Sequence, residues 1–143
     1  MTRNPGNRRR RALSAGLLGV MAAGLLAFAP AMLSASPSDI LKVVFSKSGG
    51  EWRVDVTIRH ADTGWQHYTN VWVVETLDGK ELGRRVLFHP HVGEQPFTRS
   101  DSVKVPAGVT KVRVRAGDKP NGMSSNVVVV DLGKKSGERF EVR

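Results

Sequence analysis

Four histidines are the side chains of this sequence best suited to chemistry, and His89 and His91 stand on either side of a proline. His60 and His67 lie upstream, and Met123 is the one methionine beyond the first 35 residues. Imidazole nitrogen suits copper, zinc, iron and nickel, and a thioether adds a preference for copper. Side chains two residues apart also share a face when a segment is extended. The sequence therefore predicts a transition-metal site, with copper as the first choice and zinc as the second.

Neighbouring polar residues support this site and also offer alternatives to it. Asp62 and Glu94 are candidates for further ligands, or for acceptors that orient a ligand imidazole. In the alternative interpretation His60 is a core-edge histidine that is hydrogen-bonded to backbone. His89 and His91 then brace the proline-rich loop by donating to Glu94 or to carbonyls, and Arg99 pairs with Glu94. Met123 would then fill a gap in a loop.

Strand periodicity dominates the chain from residue 39 onward, with no helical period of useful length. In the second predicted strand, alternate residues from Trp52 to His60 share one face, so that His60 falls in phase with the core. A Trp of buried type, Trp72, lies on the third strand. This pattern predicts an all-β immunoglobulin-like or fibronectin-like antiparallel sandwich, with a small closed barrel as the competing architecture. The seven predicted strands cover residues 40–47, 51–60, 69–77, 81–88, 97–105, 109–116 and 124–132.

The connections between these strands divide into two kinds. Consecutive antiparallel strands place alternate connections at opposite ends of the domain. One end receives three tight turns, and the other receives three longer loops at residues 61–68, 89–96 and 117–123. All four histidines and Met123 fall at the long-loop end, which is where a sandwich commonly carries its function.

The first 35 residues read as an export signal rather than as part of the fold. Four consecutive arginines precede an uncharged run at residues 12–29, and small residues follow at a plausible cleavage point. We expect a periplasmic or secreted protein, exported by the general secretory or the twin-arginine route. An uncleaved membrane anchor at residues 12–29 is the alternative. The predicted sandwich domain spans residues 36–133, and residues 134–143 read as a polar tail.

Charge and composition exclude several classes of function. Five of the twenty-two basic residues and none of the thirteen acidic residues lie in the signal. The domain without the signal is therefore less basic than the whole-chain charge of +9 indicates, and its charge does not favour nucleic-acid binding. The absence of cysteine excludes disulfides, thiolate ligands and a cysteine nucleophile. No nucleophile elbow, phosphate loop or zinc-protease motif occurs, so the sequence gives little support for an enzyme.

A basic face gives the alternative function. Lys111, Arg113 and Arg115 point outward on the sixth predicted strand, beside outward valines of the third and the last strands. Such a face is either a solvated surface with aliphatic cover or a surface for a protein partner. The alternative to a metal protein is therefore a non-metal binding module that uses this face or the long loops.

Two sequence elements resemble a known family. The first is His-Ala-Asp-Thr-Gly-Trp-Gln-His-Tyr at residues 60–68, followed by Trp72, and the second is His-Pro-His-Val-Gly-Glu-Gln-Pro-Phe-Thr-Arg-Ser at residues 89–100. Together they resemble an uncharacterised family of small exported bacterial β-domain proteins. The resemblance covers most of residues 51–130. It implies an exported β-domain and no particular activity.

Overall fold

The computed structural model describes residues 37–143, and this part of the chain is built from strands and turns. The strands are β1 (Asp39–Ser48), β2 (Glu51–Arg59), β3 (Tyr68–Thr76), β4 (Glu81–Val86), β5 (Phe97–Val103), β6 (Lys111–Lys119), β7 (Gly122–Asp131), β8 (Ser136–Gly137) and β9 (Phe140–Val142). The seven long strands lie where the sequence predicts them, within two or three residues at most ends. The all-β prediction is confirmed.

The strands form two sheets that pack face to face. One sheet has the order β5-β2-β1-β9-β8 and the other has the order β4-β3-β6-β7. Alternate residues of each strand point between the sheets, and Trp72, Phe45 and Phe97 are the largest side chains buried there. The architecture is an open sandwich of two sheets rather than a closed barrel.

The C-terminal segment departs from the sequence prediction. Residues 134–143 are not a polar tail, because β9 pairs in parallel with β1 and extends its sheet. Phe140 is only 9% exposed and belongs to the core. The backbone N–H and C=O groups on the side of β1 that faces away from β2 need hydrogen-bond partners, and β9 provides them. The apolar run of β9 is too short to predict a strand from the sequence. The sandwich therefore extends from β1 to Val142.

The end with the longer loops also differs in one connection. The sequence predicts a loop over residues 117–123, whereas β6 runs to Lys119 and β7 begins at Gly122. The backbone N–H of Asn121 donates to the Asp118 carboxylate at 3.0 Å, and Gly122 has a φ of 79°, which an L side chain rarely adopts. These features allow a tight turn where composition alone indicates a loop.

The predicted export signal at residues 1–35, with its possible anchor at residues 12–29, lies outside the described residues. Within residues 37–143, the structure has no helix that is both long enough and apolar enough to cross a membrane.

Candidate metal site

The core of the sandwich ends in a polar layer at the end where β2 stops. Val56 and Ile58 on β2 are fully buried, and His60 follows in the same phase with only 3% exposure. On β6, Asp118 stands two residues beyond the fully buried Ala116 and is itself 4% exposed. Strand alternation thus carries an imidazole and a carboxylate onto the inner face of the sandwich.

His60, His67 and Asp118 form a group with the geometry of a candidate metal site. One ligand atom from each side chain lies within 4.8 Å of the others. Nε2 of His60 is 3.4 Å from Oδ2 of Asp118, and the rings of His60 and His67 are 4.8 Å apart at 71°. Tetrahedral zinc with bonds of about 2.0–2.1 Å holds its ligand atoms about 3.3 Å apart. The His60 and Asp118 atoms already have this spacing.

Two nitrogen atoms in this group are buried without hydrogen-bond partners. They are Nε2 of His60 and Nε2 of His67, and neither makes a hydrogen bond within residues 37–143, although Oδ2 of Asp118 lies 3.4 Å from Nε2 of His60. Buried polar atoms are normally satisfied, so an unpartnered pair beside a carboxylate needs an explanation. A cation held by the two nitrogens and by Asp118 would satisfy all three groups.

Asp62 decides how the His60 ring is presented. Its Oδ1 lies 2.6 Å from Nδ1 of His60 and accepts the backbone N–H of Thr69 at 3.0 Å. Its Oδ2 accepts the backbone N–H of His91 at 2.7 Å. An ionised carboxylate can only accept, so Nδ1 of His60 carries a proton and Nε2 is the ring nitrogen that faces Asp118. A carboxylate behind the distal nitrogen is also the usual support of a ligand histidine. The contact between Asp62 and His60 is the one that the predicted orienting role requires, and the role itself stays a prediction.

Gln95 ties the two long loops together at the same place. Its Oε1 accepts the backbone N–H of His60 at 3.0 Å, and its Nε2 donates to the carbonyl of His91 at 3.1 Å. Neither Gln95 nor Asp118 is among the site residues that the sequence predicts. Asp118 could have been found, because it continues the inward series of Val114 and Ala116 on β6. Nothing in the sequence identifies Gln95 as a bridge.

His89 and His91 are not part of the group formed by His60, His67 and Asp118. His91 is buried, and its ring stacks on Phe97 with centroids 3.9 Å apart. Nδ1 of His91 is 3.9 Å from Oδ2 of Asp62, and the exposed His89 ring lies 4.7 Å from the His91 ring. The structure therefore separates the four histidines into two pairs on either side of Asp62.

The other residues of the predicted site have structural contacts of their own. Glu94 and Arg99 form an ion pair at 3.0 Å, and the hydrogen bond from Arg99 lowers the pKa of Glu94. The alternative interpretation expects this ion pair, but the described residues show no hydrogen bond from the ring of His91 to Glu94 or to a carbonyl. Met123 pairs with Gly117 across β6 and β7, and a Cβ added at Gly117 would come within 2.9 Å of its sulfur. The thioether thus packs against backbone.

The basic face of β6 is partly neutralised within the sheet. Arg113 and Arg115 reach Glu75 on β3, with N to O distances of 2.7 and 3.2 Å. Glu75 is only 6% exposed, whereas Lys111 is exposed and has no such ion pair among the described residues. Charge reversal at Arg113 or Arg115 would disturb the sheet itself. Partner binding by this face stays a prediction, and Lys111 is its cleanest probe.

The class of protein defined by these observations is an all-β sandwich with a buried histidine and aspartate cluster at one end. A protein of Halomicrobium mukohataei named "Putative lipoprotein" is 41% identical to this chain over 95 residues. The aligned region covers 66% of this chain and 47% of that protein, so the chain spans about half the length of the relative that it matches. No family model matches the chain, and no solved structure matches it.

Proposed function

We propose that this protein is an exported β-sandwich protein that binds a divalent transition-metal ion through His60, His67 and Asp118. One observation carries the proposal. Two buried imidazole nitrogens without partners lie beside a buried carboxylate, and the nitrogen of His60 is turned toward that carboxylate by Asp62. Three protein ligands leave a coordination position for water or for another molecule.

The donor set guides the choice of metal. Two imidazoles and one carboxylate are ligands that Zn²⁺ accepts in a tetrahedral site, and Cu²⁺ also takes nitrogen and oxygen ligands. The initial preference for copper relied on Met123, whose sulfur packs against Gly117. We therefore propose zinc first and copper(II) second, with Met123 outside the ligand set.

Two further parts of the proposal concern location and ancestry. The name of the Halomicrobium mukohataei relative supports an exported, envelope-associated protein, as do the basic start and apolar run of residues 1–35. The strand orders β5-β2-β1 and β4-β3-β6-β7 favour an immunoglobulin-like or fibronectin-like topology. The elements at residues 60–68 and 89–100, which support membership of the exported β-domain family, are also those that surround the site.

Metal titration of the purified, metal-free protein tests the function. Zn²⁺ and Cu²⁺ are added separately, and bound metal and thermal unfolding are measured. We expect one equivalent to bind and the melting temperature to rise by mass action, because the folded state alone holds the ligands together. His67→Ala should abolish both effects, since His67 is half-buried and its removal leaves two ligands.

His89→Ala is the matched control, because it removes an exposed imidazole at the same end of the domain. This variant should bind metal within about twofold of the parent protein. Loss of binding in His89→Ala with retention in His67→Ala would move the ligands to the loop at residues 89–96. The absence of any metal-dependent shift in the parent protein would refute the function.

A further inference from the structure

A small cavity lies where β4 ends and β5 begins, and its lining is cationic. Its volume is about 60 Å³, and it is lined by Arg85, His89, His91 and Arg99 together with apolar residues 86–88. No carboxylate lines it. This cavity uses none of the three candidate metal ligands.

Several polar side-chain atoms at this cavity are buried without hydrogen-bond partners. Nε of Arg85 and both ring nitrogens of His91 lack hydrogen-bond partners among residues 37–143. Arg85 pairs with Trp72 across the strands, and Trp72 is fully buried between the sheets, so Arg85 also lies on the inner side of β4. An unpaired buried polar atom costs free energy, and Nε of Arg85 is a donor in every case, because a guanidinium stays protonated, so an acceptor at this cavity would stabilise it.

The charges around the cavity are incompletely balanced. Arg99 donates to Glu94 and to the carbonyl of Thr98, whereas Arg85 has no ion pair within the described part of the chain. Burial, followed by the positive charges of Arg99 and His89, lowers the pKa of His91. Asp62 approaches His91 from the other side, but its oxygens already accept three hydrogen bonds. Within residues 37–143, the positive charge of Arg85 is therefore not balanced by an ion pair.

We propose that this cavity binds a small oxyanion, with Arg85 and His91 donating hydrogen bonds and Arg99 adding positive charge. A planar guanidinium matches the spacing of oxygens in phosphate, sulfate and carboxylate groups. The cavity is small, with a volume of about 60 Å³, so we expect a group of a few heavy atoms as the ligand. Free phosphate, sulfate or a single carboxylate meets this limit.

The test uses the full chain and three probes at matched ionic strength, namely sodium phosphate, sodium acetate and sodium chloride. Binding is followed by calorimetric titration and by the melting temperature, at concentrations up to about 20 mM. We expect phosphate or acetate to stabilise the protein in a saturable way while chloride does not. Arg85→Gln should weaken oxyanion binding about tenfold or more.

Arg84→Gln provides a closely matched control. Arg84 directly precedes Arg85 on β4, is exposed and pairs with Glu81. It therefore carries the same charge as Arg85 but lies outside the cavity. Binding by this variant should stay within about twofold of the parent protein. Arg99→Gln, at a partly exposed site, replaces Arg85→Gln if the latter fails to fold, and should also weaken binding several-fold.

The outcomes separate the possible sources of the oxyanion. Saturable binding of phosphate alone assigns a tetrahedral anion, and binding of acetate assigns a carboxylate group. Equal effects of all three salts, or equal losses in Arg84→Gln and Arg85→Gln, would overturn the proposal, since either result means general charge screening. No binding of either oxyanion in this range would also overturn it.

Discussion

Nδ1 of His60 lies 2.6 Å from Oδ1 of Asp62, and neither side chain is exposed to solvent. This pair joins the end of β2 to the loop that follows it. Because Asp62 also accepts the backbone N–H groups of Thr69 and His91, one carboxylate holds the start of β3 and the second long loop. Asp62 is therefore both the support of the candidate metal ligand and a point on which the whole end of the sandwich depends.

Asp62→Ala should lower the free energy of unfolding by about 3–5 kcal/mol, because it leaves buried donors of His60, Thr69 and His91 without their acceptor. Denaturant unfolding of the metal-free protein measures this loss. Glu138→Ala, which removes an exposed carboxylate, should change stability by less than about 0.5 kcal/mol. A loss below about 1 kcal/mol in Asp62→Ala would mean that water replaces the carboxylate without cost.

Asp118→Asn should weaken Zn²⁺ binding about tenfold or more, with little change in the metal-free fold. The remaining carbonyl oxygen can still accept from the backbone and side-chain N–H groups of Asn121, as Oδ1 does now. The group opposite Nε2 of His60 becomes neutral and loses its value as a ligand. Zinc titration and denaturant unfolding give the two readouts. Unchanged zinc affinity would exclude Asp118 from the ligand set.

Trp72→Ala should cost about 3–5 kcal/mol of unfolding free energy, because its ring is fully buried between the sheets. Trp65→Ala is a suitable control, since that ring is 61% exposed on the first long loop. It should cost less than about 1 kcal/mol. Chemical denaturation of both variants decides the point, and similar losses would contradict the assignment of Trp72 to the core.

Glu141→Gln should change how the melting temperature depends on pH. Hydrogen bonds from Arg143 and then Lys42 lower the pKa of Glu141 from its usual 4.5 to about 2. Between pH 4.5 and about 2, the unfolded chain therefore binds more protons at Glu141 than the folded protein does. The stabilisation that Glu141 gives through Arg143 and Lys42 is complete above pH 4.5 and is lost as the pH falls through about 2. The variant should melt lower than the parent protein at neutral pH, and the difference should disappear near pH 2.

Thermal scans across this range provide the measurement. Glu138→Gln is a control on the same C-terminal segment, and its difference from the parent protein should stay constant as acid is added. A constant difference for Glu141→Gln as well would show that its ion pairs do not stabilise the folded state.

The long strands were predictable from the sequence because alternation is a local property. The alternating valines of β2 and β6 identify the face of each strand that is buried. The same alternation predicts that His60 is buried, and the structure confirms this. The strand β9 was not predictable in this way. The burial of β9 depends on its pairing with β1, and Val43 of β1 lies 97 residues before its partner Phe140 in the sequence.

The candidate site was predictable only in part. Topology placed the histidines at one end, but it could not give the distances that separate His60 and His67 from His89 and His91. The sequence does not predict a role for Asp118, because the residues around Asn121 have the composition of a longer loop, whereas β6 continues to Lys119. Gln95 could not be identified, since its role depends on two backbone groups from different loops.

The backbone of Arg143 is hydrogen-bonded on both sides to β1, donating to Phe45 at 2.8 Å and accepting from Lys47 at 3.1 Å. Because β9 runs parallel to β1, it leads away from the histidines toward the tight turns. A strand of ten residues spans roughly 30 Å. A fluorophore or sensor surface attached through Arg143 would therefore stand about a domain length from both candidate sites and would not cover them.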